Sequence, residues 1–170
     1  MQPRTCILSG VTLGAAMAFG IAAIAAELPK EGPYNGTYSA YGTFKATPIG
    51  KERLLTVWDE NGLSLTNGFQ DHMTWHCWGL GDFTNGTGQG HGYCVGTDPA
   101  GDQLVGAIAD EKHRMDQKNV SGTFTFTSGT GKYAGVAGVG TLMEHGNDFG
   151  ATAQGTYVNY LTFEGSYKLR

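Results

Sequence analysis

The chain predicts an all-β protein, an antiparallel closed barrel of eight to nine strands with one disulfide, and three observations lead there. The stretch between Cys77 and Cys94 is centred on Asn85-Gly86, the strongest short-range signal for a two-residue type I′ hairpin. After the N-terminal apolar run no window keeps the helical apolar period, whereas several alternate with the strand period. The 28 glycines follow no regular spacing and lie among aromatic and β-branched residues, a composition of many strands, tight turns and bulges rather than of collagen.

The elements follow in chain order. Arg4 precedes the apolar run CILSGVTLGAAMAFGIAAIAA, which ends in the A-x-A signal Ala23-Ile24-Ala25, so residues 1–26 read as a signal peptide and 27–170 as a single barrel domain. An uncleaved anchor is the competing reading, since an apolar run of about 20 residues could span a bilayer. Its Ala and Gly content and the small residues at its end favour cleavage. Cys6 leaves with the signal and no Leu-x-x-Cys pattern follows, which leaves two cysteines in an export context, as one structural disulfide requires. The expected location is secreted or periplasmic, with no membrane association after cleavage.

Asn35–Ala46 reads as a first strand and Arg53–Trp58 as a second, closed by a turn at Asp59-Glu60-Asn61-Gly62, with LSLTNG as a third. DHMTWHCW and GHGYCVGT form the hairpin. With Asn85 and Gly86 as its two loop residues, Thr84 faces Thr87 and Cys77 falls opposite Cys94 on a non-hydrogen-bonded step. Cα atoms on such a step lie about 4.5 Å apart, near the short end of disulfide geometry. Asp98-Pro99-Ala100-Gly101-Asp102 places Pro and Gly where a turn with an αL residue needs them, and Gln103–Ala109 is the next strand. The polar stretch Glu111–Asn119 reads as a solvated loop or short crossover. SGTFTFTSG, VAGVGTLME and GTYVNYLTFEGSYKL complete the strands.

The net charge is −4, and −5 without Arg4, so the chain lacks the basic footprint for nucleic acid or anionic lipid. The corner Gly129-Thr130-Gly131-Lys132-Tyr133-Ala134-Gly135 is not G-x-x-x-x-G-K-[ST], and no helix pattern follows it, so it is read as a strand-to-strand corner rather than a phosphate cradle. His72 and His76 have a spacing that would pair metal ligands on a helix, but on a strand it separates them by about 13 Å. His91, His113 and His145 have no partner at ligand spacing. No metal and no cofactor are expected. The sequons at Asn35, Asn85 and Asn119 read as chance, and no serine lies in a G-x-S-x-G turn.

The segment SGTFTFTSGTGKYAGVAGVGTLMEHG, Ser121 to Gly146, with the long closing strand YVNYLTFEGSYKL, resembles the allene oxide cyclase and dirigent barrel superfamily. The corner is similar to that superfamily's T-G-G-T-G-x-[YF]-x-G pattern, and CWGLGDF to GYCVGTDPAGDQ is similar to exported bacterial members. The resemblance covers the C-terminal third. It implies an eight-stranded, calycin-like antiparallel barrel with an apolar cavity, often trimeric. Family site residues do not carry over: the first two strands offer Pro48 and Glu52 without a matching motif.

The hairpin register defines the candidate site. His76 and Trp78 share a face with His91, Tyr93 and Val95, and the Asp98–Asp102 turn carries Val105 and Ala107 opposite Val95 and Tyr93. The other face carries Met73, Trp75, the disulfide, Leu104, Gly106 and Ile108. We expect the first face to line the lumen, because a polar group among aromatics is the make-up of a small-ligand pocket. Ligand-binding candidates are therefore His76, Trp78, Tyr93, Val95 and Val105, with plain packing as the alternative for His76. Three functions compete: a module binding a small apolar or phenolic molecule, an isomerase or cyclase using His76 or Tyr93 (Glu52 and Glu144 being weaker candidates), and a structural subunit that assembles through its sheet faces.

Overall fold

The computed structural model describes residues 28–145 and 154–170. The signal peptide read in residues 1–26 lies outside them. Nine strands run in chain order: β1 Glu31–Ile49, β2 Arg53–Thr66, β3 Met73–Thr84, β4 Thr87–Thr97, β5 Gln103–Asp110, β6 His113–Arg114, β7 Asn119–Gly129, β8 Ala137–His145 and β9 Gln154–Lys168. Eight of them form an antiparallel meander that closes when β9 pairs with β1, and β6 adds two residues beside the start of β4. Among the described residues the one helical element is the single 3₁₀ turn Gly131–Tyr133. Among the described residues closure leaves no long unpaired edge.

The hairpin turns as its residues require. Asn85 and Gly86 take φ of 51° and 71°, Thr84 pairs with Thr87, and Cys77 pairs with Cys94, whose disulfide joins Cα atoms 4.1 Å apart. Gly101 takes φ of 91°, and Asp98 Oδ1 accepts the Ala100 and Asp102 N–H groups, which holds the β4–β5 turn. The glycine corner is built around that same turn. Asp102 lies where a Cβ on Gly131 would sit and accepts the Lys132 N–H, while the Lys132 ammonium reaches Asp98 at 2.6 Å. The seat that an anion would take in a phosphate loop is thus filled by the protein's own carboxylate.

One expected boundary is corrected. Asp59-Glu60-Asn61-Gly62 is not a turn, and LSLTNG is not a separate third strand: β2 runs unbroken from Arg53 to Thr66, pairing Gly42 with Glu60 on one side and Glu60 with Cys77 on the other. Local turn chemistry yields here to two flanking strands that satisfy every backbone group of the segment.

Inward positions form the core. At the end holding both described termini the barrel is plugged by the 67–72 loop, whose Phe69 stacks on Tyr167 at 3.7 Å and meets Phe126 and Tyr133 edge-on. Such ring pairs each add about 0.5–1.5 kcal/mol beyond their buried area. The plug is tied in by a relay in which the Trp75 indole N–H donates to Ser64 Oγ, and Ser64 Oγ donates to the Gln70 carbonyl. Further along, large side chains lie over inward glycines of the neighbouring strands, Trp58 over Gly79 and Gly92 and Phe124 over Gly106. An eight-stranded barrel leaves room for side chains or for one small ligand, and the glycines decide which.

Candidate functional site

The lumen beyond the plug holds a cavity of about 110 Å³. Its apolar wall includes Phe44, Trp58, Phe83, Ile108 and Phe124, and the Cys77–Cys94 disulfide borders it. Its polar groups include three carboxyls on three strands, Glu60 of β2, Asp110 of β5 and Glu144 of β8, with Tyr38, Tyr157, Asn159, His113 and Gln70.

Glu60 is the organising group, 3 % exposed although it is an acid. Tyr157 Oη donates to its Oε2 at 3.0 Å and Asn159 Nδ2 donates to the same oxygen at 3.2 Å. Both partners come from β9, which reaches Glu60 across β1 because Tyr157 pairs with Gly42 and Gly42 pairs with Glu60. A Cβ on Gly42 would overlap the Tyr157 ring, so that glycine is what lets Tyr157 lean toward the acid. Burial pushes the Glu60 carboxyl up, against the hydrogen bonds from Asn159, Tyr157 and Tyr38 that pull it down. Burial, then the charges of Asp110 and Glu60, push Glu144 up to about 8, opposed by a hydrogen bond from Asn159. Burial raises Asp110 to about 6, opposed by His113, the Gly90 N–H and His91. The Tyr38 and Tyr157 phenols are raised by burial and by the Glu60 charge.

His113 is 6 % exposed, its Nδ1 donates to the Glu111 carbonyl at 2.8 Å, and its ring meets Phe83 edge-on. The polar 111–119 stretch is therefore not wholly solvated. Because neutral carboxyl, carboxylate and phenol line one cavity, the site can hold a polar group or exchange a proton near neutral pH.

The residues singled out in the sequence lie elsewhere. Trp78 and Tyr93 pair across β3 and β4 as expected, and Val95 pairs with Val105, but all four face outward; Trp78 is 40 % and Tyr93 54 % exposed. His76 is on the same outer surface, where Nε2 donates to Asp59 at 3.0 Å and the ring lies beside Trp78. The expectation that this face lines the lumen is corrected: Met73, Trp75, the disulfide, Leu104, Gly106 and Ile108 do. Register tells which residues share a face, whereas the inside is chosen by volume. A narrow barrel takes the face whose β4 residues are Gly88, Gly90, Gly92, Cys94 and Gly96, and a face loaded with Trp78, Leu80, His91 and Tyr93 does not fit there. That glycine alternation is the signal that could have identified the lumen. Glu52 is exposed near the β1–β2 turn, while Glu144, the other acid singled out in the sequence, lines the cavity.

Among the described residues no three His, Cys, Asp or Glu side chains come together as a metal site. Comparison with family models, with curated proteins and with solved structures finds no match to this chain.

Proposed function

We propose that the protein is an exported barrel that binds a small apolar or phenolic molecule in its lumen. The observation that carries this reading is the lumen cavity of about 110 Å³, aromatic on its walls and ending on three carboxyls, of which Glu60 is buried and hydrogen-bonded. A core packed only for stability would avoid three acids, because burying them is costly unless something is gained. An apolar cavity of about 150 Å³ admits benzene, so this one suits a single ring rather than a sugar or a lipid tail. The ligand's body lies against Trp58, Phe83 and Phe124, and its polar end meets Glu60, Tyr157 and Glu144. The resemblance to allene oxide cyclase and dirigent barrels points the same way, to an apolar lumen. Export rests on the signal read in residues 1–26 and on the disulfide; N-terminal sequencing of the recovered protein should begin after Ala25 or Ala26.

Tryptophan emission tests the binding. Trp58 and Trp75 line the cavity and Trp78 does not, so phenol and related small aromatics should change emission in wild type and in Trp78→Phe, and Trp58→Phe should blunt the change. No response to any small aromatic, or a response lost only in Trp78→Phe, overturns the reading.

A second reading, a cofactor-independent isomerase or cyclase, is favoured by Glu144, whose carboxyl at about 8 holds a proton at neutral pH for delivery to a bound substrate. Turnover of an allene oxide, abolished by Glu144→Gln with the fold intact, would select it over simple binding.

A further inference from the structure

We infer that the lumen is built for a small amphipathic amine, its ammonium seated among the carboxyls of Glu60, Asp110 and Glu144 and an acceptor oxygen at its other end turned to the Gln70 amide. The inference rests on the binding reading and narrows the ligand class.

The first ground is charge. Among the described residues no Lys or Arg lines the cavity, and the one basic side chain there, His113, is engaged with the Glu111 carbonyl. The neutral donors Tyr157 and Asn159 both serve Glu60, and they supply hydrogen bonds but no compensating charge. Buried carboxylates without a counterion are unfavourable, and a ligand cation removes that penalty. The rings of Phe44, Trp58, Phe83 and Tyr157 around the same space add π-faces that attract an ammonium.

The second ground is independent of the acids. Gln70 borders the same cavity from the plug, is 4 % exposed, and its Nε2 donates to nothing. A buried amide donor without an acceptor is costly, and an oxygen on the ligand would satisfy it. Ser64 holds Gln70 at the plug end, since its Oγ donates to the Gln70 backbone carbonyl at 2.6 Å and it lies four residues along β2 from Glu60. Four strand residues span about 13 Å between Cα atoms, so the amide and the acids stand at different ends of the cavity and a bare ammonium ion does not meet both.

Binding should be linked to pH. The groups facing the carboxyls are Tyr38 of β1, Tyr157 and Asn159 of β9 and His113 of β6, with His91 outside on β4 beside Asp110. Of these, Glu144 keeps its proton near neutrality when the cavity holds no ligand. An arriving ammonium draws that proton off to solvent, leaving an ammonium–carboxylate pair, so affinity rises with pH while the amine stays protonated.

Calorimetry on the mature chain with tyramine, its alcohol analogue 2-(4-hydroxyphenyl)ethanol and its acid analogue, a ring-hydroxylated phenylacetate, tests this between pH 6 and pH 8. The amine should bind about tenfold or more tighter than the alcohol at the upper pH, the acid should give no binding, and amine affinity should climb across the range. Glu60→Gln and Glu144→Gln should each weaken the amine about tenfold and weaken the alcohol much less. If either variant fails to fold, the wild-type ranking and pH series decide. Alcohol or acid binding as tightly as the amine, or amine affinity flat with pH, overturns the amine inference while lumen binding stands. If none of the three probes binds, both readings fall.

Discussion

Raising the pH from 5 to 8 should weaken this fold, and Glu144→Gln should remove most of the loss. The Glu144 carboxyl is held at about 8 in the native protein, whereas in the unfolded chain it returns to about 4.3. Between those values the unfolded chain has released the proton and the native protein keeps it. Stability is then fully present at the acid end of the window and declines as pH rises, by about 1.4 kcal/mol per pH unit for one such group. From pH 5 to pH 7 Glu144 alone contributes a loss of about 2–3 kcal/mol, a sizeable part of the 5–15 kcal/mol of an ordinary domain. Asp110, raised to about 6, acts with the same sign at the lower end of the window. Asp71 and Asp98 are lowered by hydrogen bonds and by His72 and Lys132, although burial opposes the shift, so their stability is in place above the ordinary carboxylate range and is lost only in stronger acid. They do not offset the decline. Urea midpoints measured at half-unit steps, with unchanged m-values, give the slope directly. Stability level or rising between pH 5 and pH 8, or Glu144→Gln following the wild-type curve, would refute the assignment of a buried, protonated Glu144.

Reduction of Cys77–Cys94, which closes a 17-residue separation, should cost about 3 kcal/mol and lower the melting point by about 6–12 °C; alkylation without reductant should label no thiol of the mature chain. Asn85→Val with Gly86→Val forces β-branched residues into φ of 51° and 71° and should cost about 2–4 kcal/mol with slower disulfide formation; unchanged melting and oxidation would show that the turn tolerates them. Gly106→Ala sets a methyl 2.1 Å from the Phe124 ring, so a loss of about 1–3 kcal/mol in chemical unfolding is expected. The outer surface carrying Trp78 and Tyr93 continues through exposed Leu80 and Val57, and we expect it to join copies of the chain, as a trimer by the family resemblance. Sedimentation should show association lost in Trp78→Lys with Tyr93→Lys, and a wild type that is monomeric at high micromolar concentration would refute it.

Pairing was legible in the residues themselves, because it is set by chemistry local to each turn. Asn85-Gly86 demanded positive φ at two successive positions, and that alone aligned Cys77 with Cys94, Trp78 with Tyr93 and, through the Asp98–Asp102 turn, Val95 with Val105. Strand alternation and the scarcity of helical periodicity were enough for an all-β barrel. Which side of each strand became the lumen was a different kind of question. Both faces of β3 and β4 are apolar enough to be buried, and parity is silent between them. The eight-strand circumference decided it by volume, turning the glycines of β4 inward and Trp78 and Tyr93 out. Glu60 was hidden for a related reason. Asp-Glu-Asn-Gly has the chemistry of a turn, and only the flanking β1 and β3, each far from it in sequence, could hold it straight and aim its acid at Tyr157 and Asn159. The carboxyls of Glu60, Asp110 and Glu144 come from three strands spread over the chain, and what they share, a place on one small cavity, exists only once the barrel has closed.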